Sequence, residues 1–203
     1  MKTIGKILKG MILFLVLSIL LTCAFFAFKF HQDFREVRQY DTVVTSEVER
    51  AGISQYKPIV LAMIYTETKG KDSDLLQSSE SVHGETGKLG GEESLRAGID
   101  FLAKAIQKSN EEGTDIWTAV QAYNFGLGYI DYVSKNGKKN TLELAEEYSK
   151  TVVAPSLGNH SGEEYSYIHP QALFHNGGHL YKNGGNFFYA KIVAINEWLM
   201  QYL

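Results

Sequence analysis

Residues 10–28 form an uninterrupted stretch without a charged side chain, dominated by Ile, Leu, Phe, Val and Ala. At about 1.5 Å of rise per residue, a helix of this length matches the thickness of the hydrocarbon core of a bilayer. The preceding residues, 1–9, contain Lys2, Lys6 and Lys9 and no acid. Because a lysine-rich flank stays on the cytoplasmic side, the sequence predicts a cytoplasmic tail over residues 1–9, with the chain after residue 28 outside the cell.

Two interpretations of the apolar stretch compete: a cleaved secretory signal and a retained signal anchor. A cleaved signal has a shorter apolar core and a small-residue cleavage site, whereas this stretch is long and ends in Phe-Phe-Ala-Phe. We therefore favour a single-pass anchor over residues 10–28 in the cell membrane. Cys23 is the only cysteine and has five apolar residues after it. Lipidation there would truncate the anchor in mid-span, and the exported part contains no disulfide.

The charge of the exported part argues against nucleic acid as a partner. Three of the 20 Lys and Arg residues precede the apolar stretch, so 17 basic residues face all 23 acidic residues, a formal charge of −6. Nucleic-acid binding depends on concentrated Lys and Arg against phosphates. The twelve tyrosines and two tryptophans instead suit stacking on sugar rings, although tyrosine is also ordinary core material.

The rest of the chain predicts one mostly helical domain. Residues 29–55 mix charges with Val and Thr and are interpreted as a juxtamembrane stalk, and the domain is expected over 56–203. Helices are predicted, among others, over 59–68, 92–109 and 187–203, from apolar periodicity and from Pro and Gly at the ends. Residues 71–91 are predicted as loop with at most a short β-hairpin around 84–87. Residues 155–185 show no clear period.

Glu67 is the strongest catalytic candidate. It follows an apolar run, residues 58–65, and lies in the last turn of the predicted helix. The unpaired carbonyls of a helix end and burial among apolar neighbours both oppose ionisation, so its pKa should be raised. A carboxylic acid that stays protonated near neutral pH can donate a proton to a glycosidic oxygen. On its position alone, a solvated helix-end glutamate is the commoner explanation.

Three elements in order resemble the lysozyme-like superfamily, in the branch of goose-type lysozymes and soluble lytic transglycosylases. They are residues 67–70 (Glu-Thr-Lys-Gly), 76–81 (Leu-Gln-Ser-Ser-Glu-Ser) and 122–126 (Ala-Tyr-Asn-Phe-Gly). Leu76 stands where that family has Met, and the segment 94–99 resembles the helix between the last two elements. The nearest resemblance is to the lysozyme-like domain of membrane-attached cell-wall hydrolases of Gram-positive bacteria and their mobile elements, over roughly residues 50–203.

This resemblance implies a peptidoglycan muramidase that cleaves the β-1,4 bond between MurNAc and GlcNAc, with Glu67 as general acid and with no cofactor and no metal. Gln77, Ser78, Ser79, Tyr123 and Asn124 would bind the glycan strand. Tyr189, in a Gly-Asn-Phe-Phe-Tyr element over residues 185–189, would close the cleft near the acid. Asn186 replaces the Asp expected in that element, and packing of Tyr189 into the core is an equally good explanation.

The second carboxylate is left open. Glycosidases commonly pair their acid with another carboxylate roughly 5–9.5 Å away, and Asp72, Asp74, Glu80 and Glu85 follow Glu67 closely. Glu80 is the best candidate by its motif, but it could equally be held by loop N–H groups. Transglycosylases of this superfamily need no second carboxylate, because the muramic 6-hydroxyl attacks its own anomeric carbon. We favour hydrolysis.

Other classes fit less well. His175 and His179 are four residues apart, but the two glycines between them oppose a ligand-presenting helix, and neither a His-Glu-x-x-His nor a Gly-x-Ser-x-Gly motif occurs. A catalytically idle glycan-binding module that holds a membrane complex at the cell wall is the main alternative, and an intact Glu67 argues against it. The resemblance also suggests service to a secretion or conjugation apparatus.

Overall fold

The computed structural model describes residues 2–78 and 90–202, without the side chains of residues 2–5 and 8. The elements are α1 Lys2–Arg38, α2 Asp41–Arg50, a 3-10 turn Ser54–Tyr56, α3 Lys57–Glu67, α4 Gly91–Glu112, α5 Ile116–Phe125, α6 Gly128–Lys135, α7 Leu142–Tyr148, a π-helical turn Ser149–Val153, α8 Ala154–Ser156, β1 Glu164–Ser166, α9 Pro170–Asn176, β2 His179–Tyr181 and α10 Tyr189–Tyr202. The predicted fold class, mostly α behind one N-terminal apolar helix, is confirmed.

Helix α3 lies at the centre of the core. Its residues 59–64 are all buried, because α1, α2 and α10 pack around it. This surrounding explains why the helix is apolar on every side rather than along one stripe. Pro58 occupies the first turn, where its missing N–H costs nothing.

Helix α4 presents an apolar stripe to α2, α5 and α6. Leu95, Ile99, Leu102 and Ile106 are buried on it, as their spacing predicts. The helix ends at Gly113, whose φ of 70° is the left-handed conformation that glycine adopts without strain. Asp115 then caps α5 by accepting a hydrogen bond from the Thr118 N–H at 2.9 Å.

The predicted juxtamembrane stalk is part of the packed structure. Within α1, the span Lys9–Arg38 is long and apolar enough to cross a membrane, and an 18-residue window of it has a mean hydropathy of 2.8. The helix is unbroken from the apolar stretch to Arg38, and Phe30, Phe34 and Val37 in its last part are buried against the domain. Helix α2 adds Val44 and Val48 to the same core. Residues 29–55 therefore contribute buried side chains to the core, and their role as a juxtamembrane stalk stays a prediction.

A small antiparallel sheet lies in the segment for which the sequence showed no period. Strand β1 pairs with β2 in the register Glu164 to Tyr181, Tyr165 to Leu180 and Ser166 to His179. Each strand has three residues, too few to produce a readable alternation. The Asn159 amide donates to the carbonyls of Glu163 and Lys182, both at 2.8 Å, and so ties the two strands together at one end. The hairpin predicted around residues 84–87 lies outside the described residues.

Candidate active site

A cleft of about 620 Å³ brings together most of the residues that the sequence predicted. Its lining contains Glu67, Gln77, Ser78, Tyr123 and Asn124. These residues come from the end of α3, the loop after it and the end of α5. Sequence elements that are ten and about fifty residues apart therefore form one surface. Ser79 and Glu80 lie outside the described residues.

The Glu67 carboxyl has the pKa that a general acid needs. Its pKa is raised from 4.5 to about 7, mainly by burial, and the nearby charge of Asp74 contributes to the rise. Burial among apolar groups was the predicted cause. The carboxyl can therefore carry a proton near neutral pH, and it lines the cleft.

Tyr189 lies behind the acid rather than in the cleft lining. Its ring stacks on Tyr123, with centroids 6.2 Å apart and planes 11° from parallel. Its fully buried hydroxyl faces the Glu67 carboxyl, and this contact lowers the pKa of Glu67 without offsetting burial. Among the described residues, the hydroxyl has no partner in full hydrogen-bond geometry. A buried donor without a partner is costly, so Tyr189 is poised to bond to Glu67 once the carboxyl ionises.

The residues after Glu67 fix the end of α3. The Thr68 hydroxyl donates to the carbonyls of Ile64, at 3.2 Å, and Leu75, at 3.1 Å, and so joins the helix to the next loop. Gly70 has a φ of 71°, and a Cβ there would lie 3.0 Å from the Glu36 carbonyl oxygen. Glycine is therefore required for α1 to approach the loop. The Glu-Thr-x-Gly element combines the acid with two residues that position it.

The loop over residues 74–78 is held by hydrogen bonds within the loop and to α4, and its Gln77 lines the cleft. The buried Asp74 carboxylate accepts hydrogen bonds from the Ser78 N–H, at 2.9 Å, and from the Ser94 hydroxyl of α4. The Ser78 hydroxyl donates to the Ser94 carbonyl at 2.8 Å. Gln77 is exposed and has a φ of 49°, a conformation that is rare for residues other than glycine. Such strain is typical of functional positions.

Tyr123 anchors the same loop from the side of α5. Its hydroxyl donates to the Leu76 carbonyl at 2.9 Å. The Tyr123 hydroxyl and the Leu76 side chain both pack against Gly98 of α4, where a Cβ would lie 2.6 Å from the Tyr123 oxygen and from a Leu76 methyl carbon. Tyr123 thus shapes the cleft wall as well as lining it, and its pKa is raised by burial and by the Glu67 charge.

Asn124 connects the cleft to the start of α10. Its side-chain oxygen accepts a hydrogen bond from the Asn186 N–H at 2.6 Å. The Asn186 side-chain oxygen in turn accepts a hydrogen bond from the Phe188 N–H at 3.0 Å, in the turn just before α10. An amide oxygen accepts this bond as well as a carboxylate would, which accounts for Asn at a position where the family has Asp. Asn124 remains exposed on the cleft side.

Asp74 is a carboxylate whose charge reaches Glu67. It is buried, and one of its oxygens already accepts hydrogen bonds from loop and helix groups. This arrangement suits a residue that positions the loop better than one that activates a water. The pairing of Glu67 with Glu80 stays a prediction.

The sequence analysis missed the opposite wall of the cleft. Tyr148, Val152, Val153, Ser156 and Leu157 form it, from α7 through α8. Val152 and Leu157 are exposed apolar residues, 40% and 63% accessible. The available signal was the uncharged run over residues 151–158 in an otherwise charged surface region. Phe101 and Phe125 also line the cleft and were not predicted.

A profile of the lysozyme-like family matches residues 34–197. The chain belongs to the lysozyme-like family. The match begins within the segment that was interpreted as a stalk, in agreement with the packing of α1 and α2 against α3. A crystal structure from Staphylococcus aureus, of a protein described as similar to a lipoprotein of the NLP/P60 family, superposes with a TM-score of 0.72 at 32% identity, covering 80% of this chain and 52% of that one.

Sequence relatives of this lysozyme-like chain differ in what their names state. Pneumococcal vaccine antigen A from Streptococcus pneumoniae serotype 4 is 46% identical over 188 residues, 92% of each chain. The bifunctional muramidase/DL-endopeptidase CwlT from Bacillus subtilis is 34% identical over 134 residues, 66% of this chain and 40% of that protein. The uncharacterized membrane protein YocA, also from Bacillus subtilis, is 36% identical over 134 residues, 64% of this chain and 60% of that protein.

Proposed function

We propose that this protein is a membrane-anchored peptidoglycan glycosidase that cleaves the β-1,4 bond between MurNAc and GlcNAc. One observation carries the proposal: a carboxyl group with a pKa of about 7 lines a cleft together with Gln77 and Asn124. The family and the relative named a muramidase support the same substrate class. The apolar span of α1 and the relative named a membrane protein support the anchor over residues 10–28.

Glu67 would act as the general acid. Its protonated carboxyl would donate to the glycosidic oxygen as the bond breaks and positive charge develops at the anomeric carbon. Gln77 and Asn124 would bind hydroxyl or acetamido groups of the strand, and Tyr123 would hold the wall of the cleft. Once Glu67 is ionised, the Tyr189 hydroxyl would stabilise the carboxylate until the acceptor has reacted.

We favour water as the acceptor, which makes the reaction lysozyme-type hydrolysis. The alternative is attack by the muramic 6-hydroxyl, with the ionised Glu67 as base. Mass spectrometry of the released muropeptides separates the two. We expect reducing muramic ends, and 1,6-anhydro ends would show that the enzyme is a lytic transglycosylase.

The acid itself is tested by replacing Glu67 with Gln. We expect the Glu67→Gln variant to lose clearing of peptidoglycan in a gel assay while keeping its helical circular dichroism and thermal transition. Glu49→Gln is the matched control, because Glu49 is an exposed glutamate on α2 that does not line the cleft. Clearing by the Glu67→Gln variant at the normal rate would contradict the mechanism.

The binding-module alternative predicts a different result. The wild-type protein would then sediment with peptidoglycan but release no fragments. We expect release by the wild type and sedimentation without release by Glu67→Gln. Location of the domain outside the cell, and service to a secretion or conjugation apparatus, stay predictions. Accessibility of an introduced cysteine in residues 90–202 to an impermeant reagent on intact cells would test the first.

A further inference from the structure

The end of the last helix lies against α1 at the point where α1 leaves its apolar stretch. A groove of about 530 Å³ is lined on one side by Cys23, Phe26, Ala27 and Phe30 of α1 and on the other by Leu199 of α10. Cys23, Phe26 and Ala27 belong to the predicted anchor. Leu199 is therefore placed at the level where the chain emerges from the bilayer, and α10 is the second element at that level.

The exposed face at this end of α10 is aromatic. Trp198 is 57% accessible and Tyr202 is 69% accessible, and their rings are in contact with centroids 5.0 Å apart. They stand one helical turn apart, beside the half-buried Leu199. Exposed Trp and Tyr side chains at the level of a membrane surface are the pattern by which proteins anchor in the headgroup region.

The charges around the groove also suit a lipid. Lys29 lines it immediately after the apolar stretch. Asp33, the acid in the same lining, is buried and accepts a hydrogen bond from Lys71 at 2.5 Å. A lysine at this height can pair with a lipid phosphate while its aliphatic stem stays against apolar surface.

We propose that the C-terminal end of α10 docks on the outer leaflet of the membrane. A phospholipid would occupy the groove between α1 and α10, with its acyl chain against Phe26 and Leu199 and its phosphate near Lys29, while Trp198 and Tyr202 sit among the headgroups. This proposal rests on the anchor that is part of the proposed function. It adds a second contact, which prevents the domain from swinging about α1.

Docking of α10 also limits the distance between the cleft and the bilayer surface. Helix α10 begins at Tyr189, behind the catalytic acid, and reaches the membrane level at Leu199. Ten residues of helix span about 15 Å, so Tyr189, whose hydroxyl faces Glu67, lies at most about that far from the bilayer surface along this helix. The substrate would therefore be glycan next to the membrane, not strands in the outer layers of the wall.

The test uses the full-length chain in phosphatidylglycerol and phosphatidylcholine vesicles that contain brominated lipid. Trp117 and Trp198 are the two tryptophans, so the Trp117→Phe variant reports on Trp198 alone. We expect its emission to be quenched, more strongly by bromines near the headgroup than by bromines near the end of the acyl chain. Circular dichroism checks that Trp117→Phe is folded. If Trp117→Phe destabilises the chain, the loss of quenching between wild type and Trp198→Phe gives the same readout.

A third reporter separates docking from anchoring. In a chain that carries Trp117→Phe and Trp198→Phe, the added substitution Phe26→Trp reports on the anchor. Quenching of the reporter at position 26 without quenching of Trp198 in the Trp117→Phe variant would overturn the docking while leaving the anchor in place. Absence of both signals would overturn docking and anchor together. The clearing assay is measured on the same samples, so neither result is confused with failure of the glycosidase activity.

Discussion

At the scale of single residues, the pKa of Glu67 predicts the pH dependence of the reaction. Burial raises this pKa to about 7, and the proton must be present for the acid step. The rate should therefore be maximal on the acidic side and should fall tenfold per pH unit once the pH exceeds the pKa. The alkaline limb of kcat/KM, measured with soluble glycan strands, should have its midpoint near pH 7.

A substitution at Tyr189 gives a second test of the pKa of Glu67. Its hydroxyl lowers the pKa of Glu67, so Tyr189→Phe should raise that pKa and move the alkaline limb to higher pH. The stability of the fold should change little, because the buried hydroxyl has no full hydrogen-bond partner among the described residues. If the alkaline limb of kcat/KM kept its midpoint or moved to lower pH, the Tyr189 hydroxyl would not be lowering the pKa of Glu67.

At the scale of elements, helix α4 packs against two parts of the cleft, the loop that carries Leu76 and Gln77 and the end of α5 that carries Tyr123. A Cβ at Gly98 would lie 2.6 Å from both the Tyr123 hydroxyl and a Leu76 methyl carbon. Gly98→Ala should therefore displace Gln77 and Tyr123 and lower activity, with a loss of stability of about 1–3 kcal/mol from overpacking. Gly91→Ala in the same helix is the control, because its Cβ would make an ordinary contact of 3.5 Å. The two variants are compared by urea denaturation and by clearing. Equal activities would mean that the loop adapts.

The sequence predicted those parts of the structure that can be recognised from a short stretch of residues. Helix α3 was recognisable from its apolar run between Pro58 and Gly70, and residues of the three motifs line one cleft, as the resemblance implied. The wall over residues 148–157 could not be predicted in the same way. Its residues line the cleft only because of the tertiary packing of the segment from α7 to α8, and this placement leaves little trace in local sequence.

The sequence analysis did not locate the strands or the packing of residues 29–55 against the core, and the reasons are related. Three-residue strands are stabilised by Asn159 and by their surroundings rather than by an alternating pattern. In the stalk, charged residues concealed the spacing of Phe30, Phe34 and Val37, which recur at three and four residues and mark one buried face. This spacing is visible in the sequence, and it predicts that the C-terminal part of α1 packs against the domain.

At the scale of the whole molecule, α1 serves both as the predicted anchor and as a structural helix of the domain. Phe30 packs on Tyr65 of α3 with ring centroids 5.0 Å apart. The buried Asp33 pairs with Lys71 in the loop after α3. These contacts make the predicted membrane exit and the proposed catalytic acid parts of one packed body, so a movement of α1 would displace the end of α3 that carries Glu67.

Truncation tests this continuity. A soluble fragment that begins at residue 29 keeps all the side chains of α1 and α2 that are buried among the described residues, and it should fold and clear peptidoglycan. A fragment that begins at residue 56 loses Phe34, Val37, Val44 and Val48, each buried. Each large buried side chain contributes about 1.5–3 kcal/mol, and their sum is comparable with the total stability of a domain. The shorter fragment should therefore lack a cooperative thermal transition. If both fragments melted cooperatively at the same temperature, residues 29–55 would be a stalk after all, and the distance of the cleft from the membrane would no longer be fixed by α1.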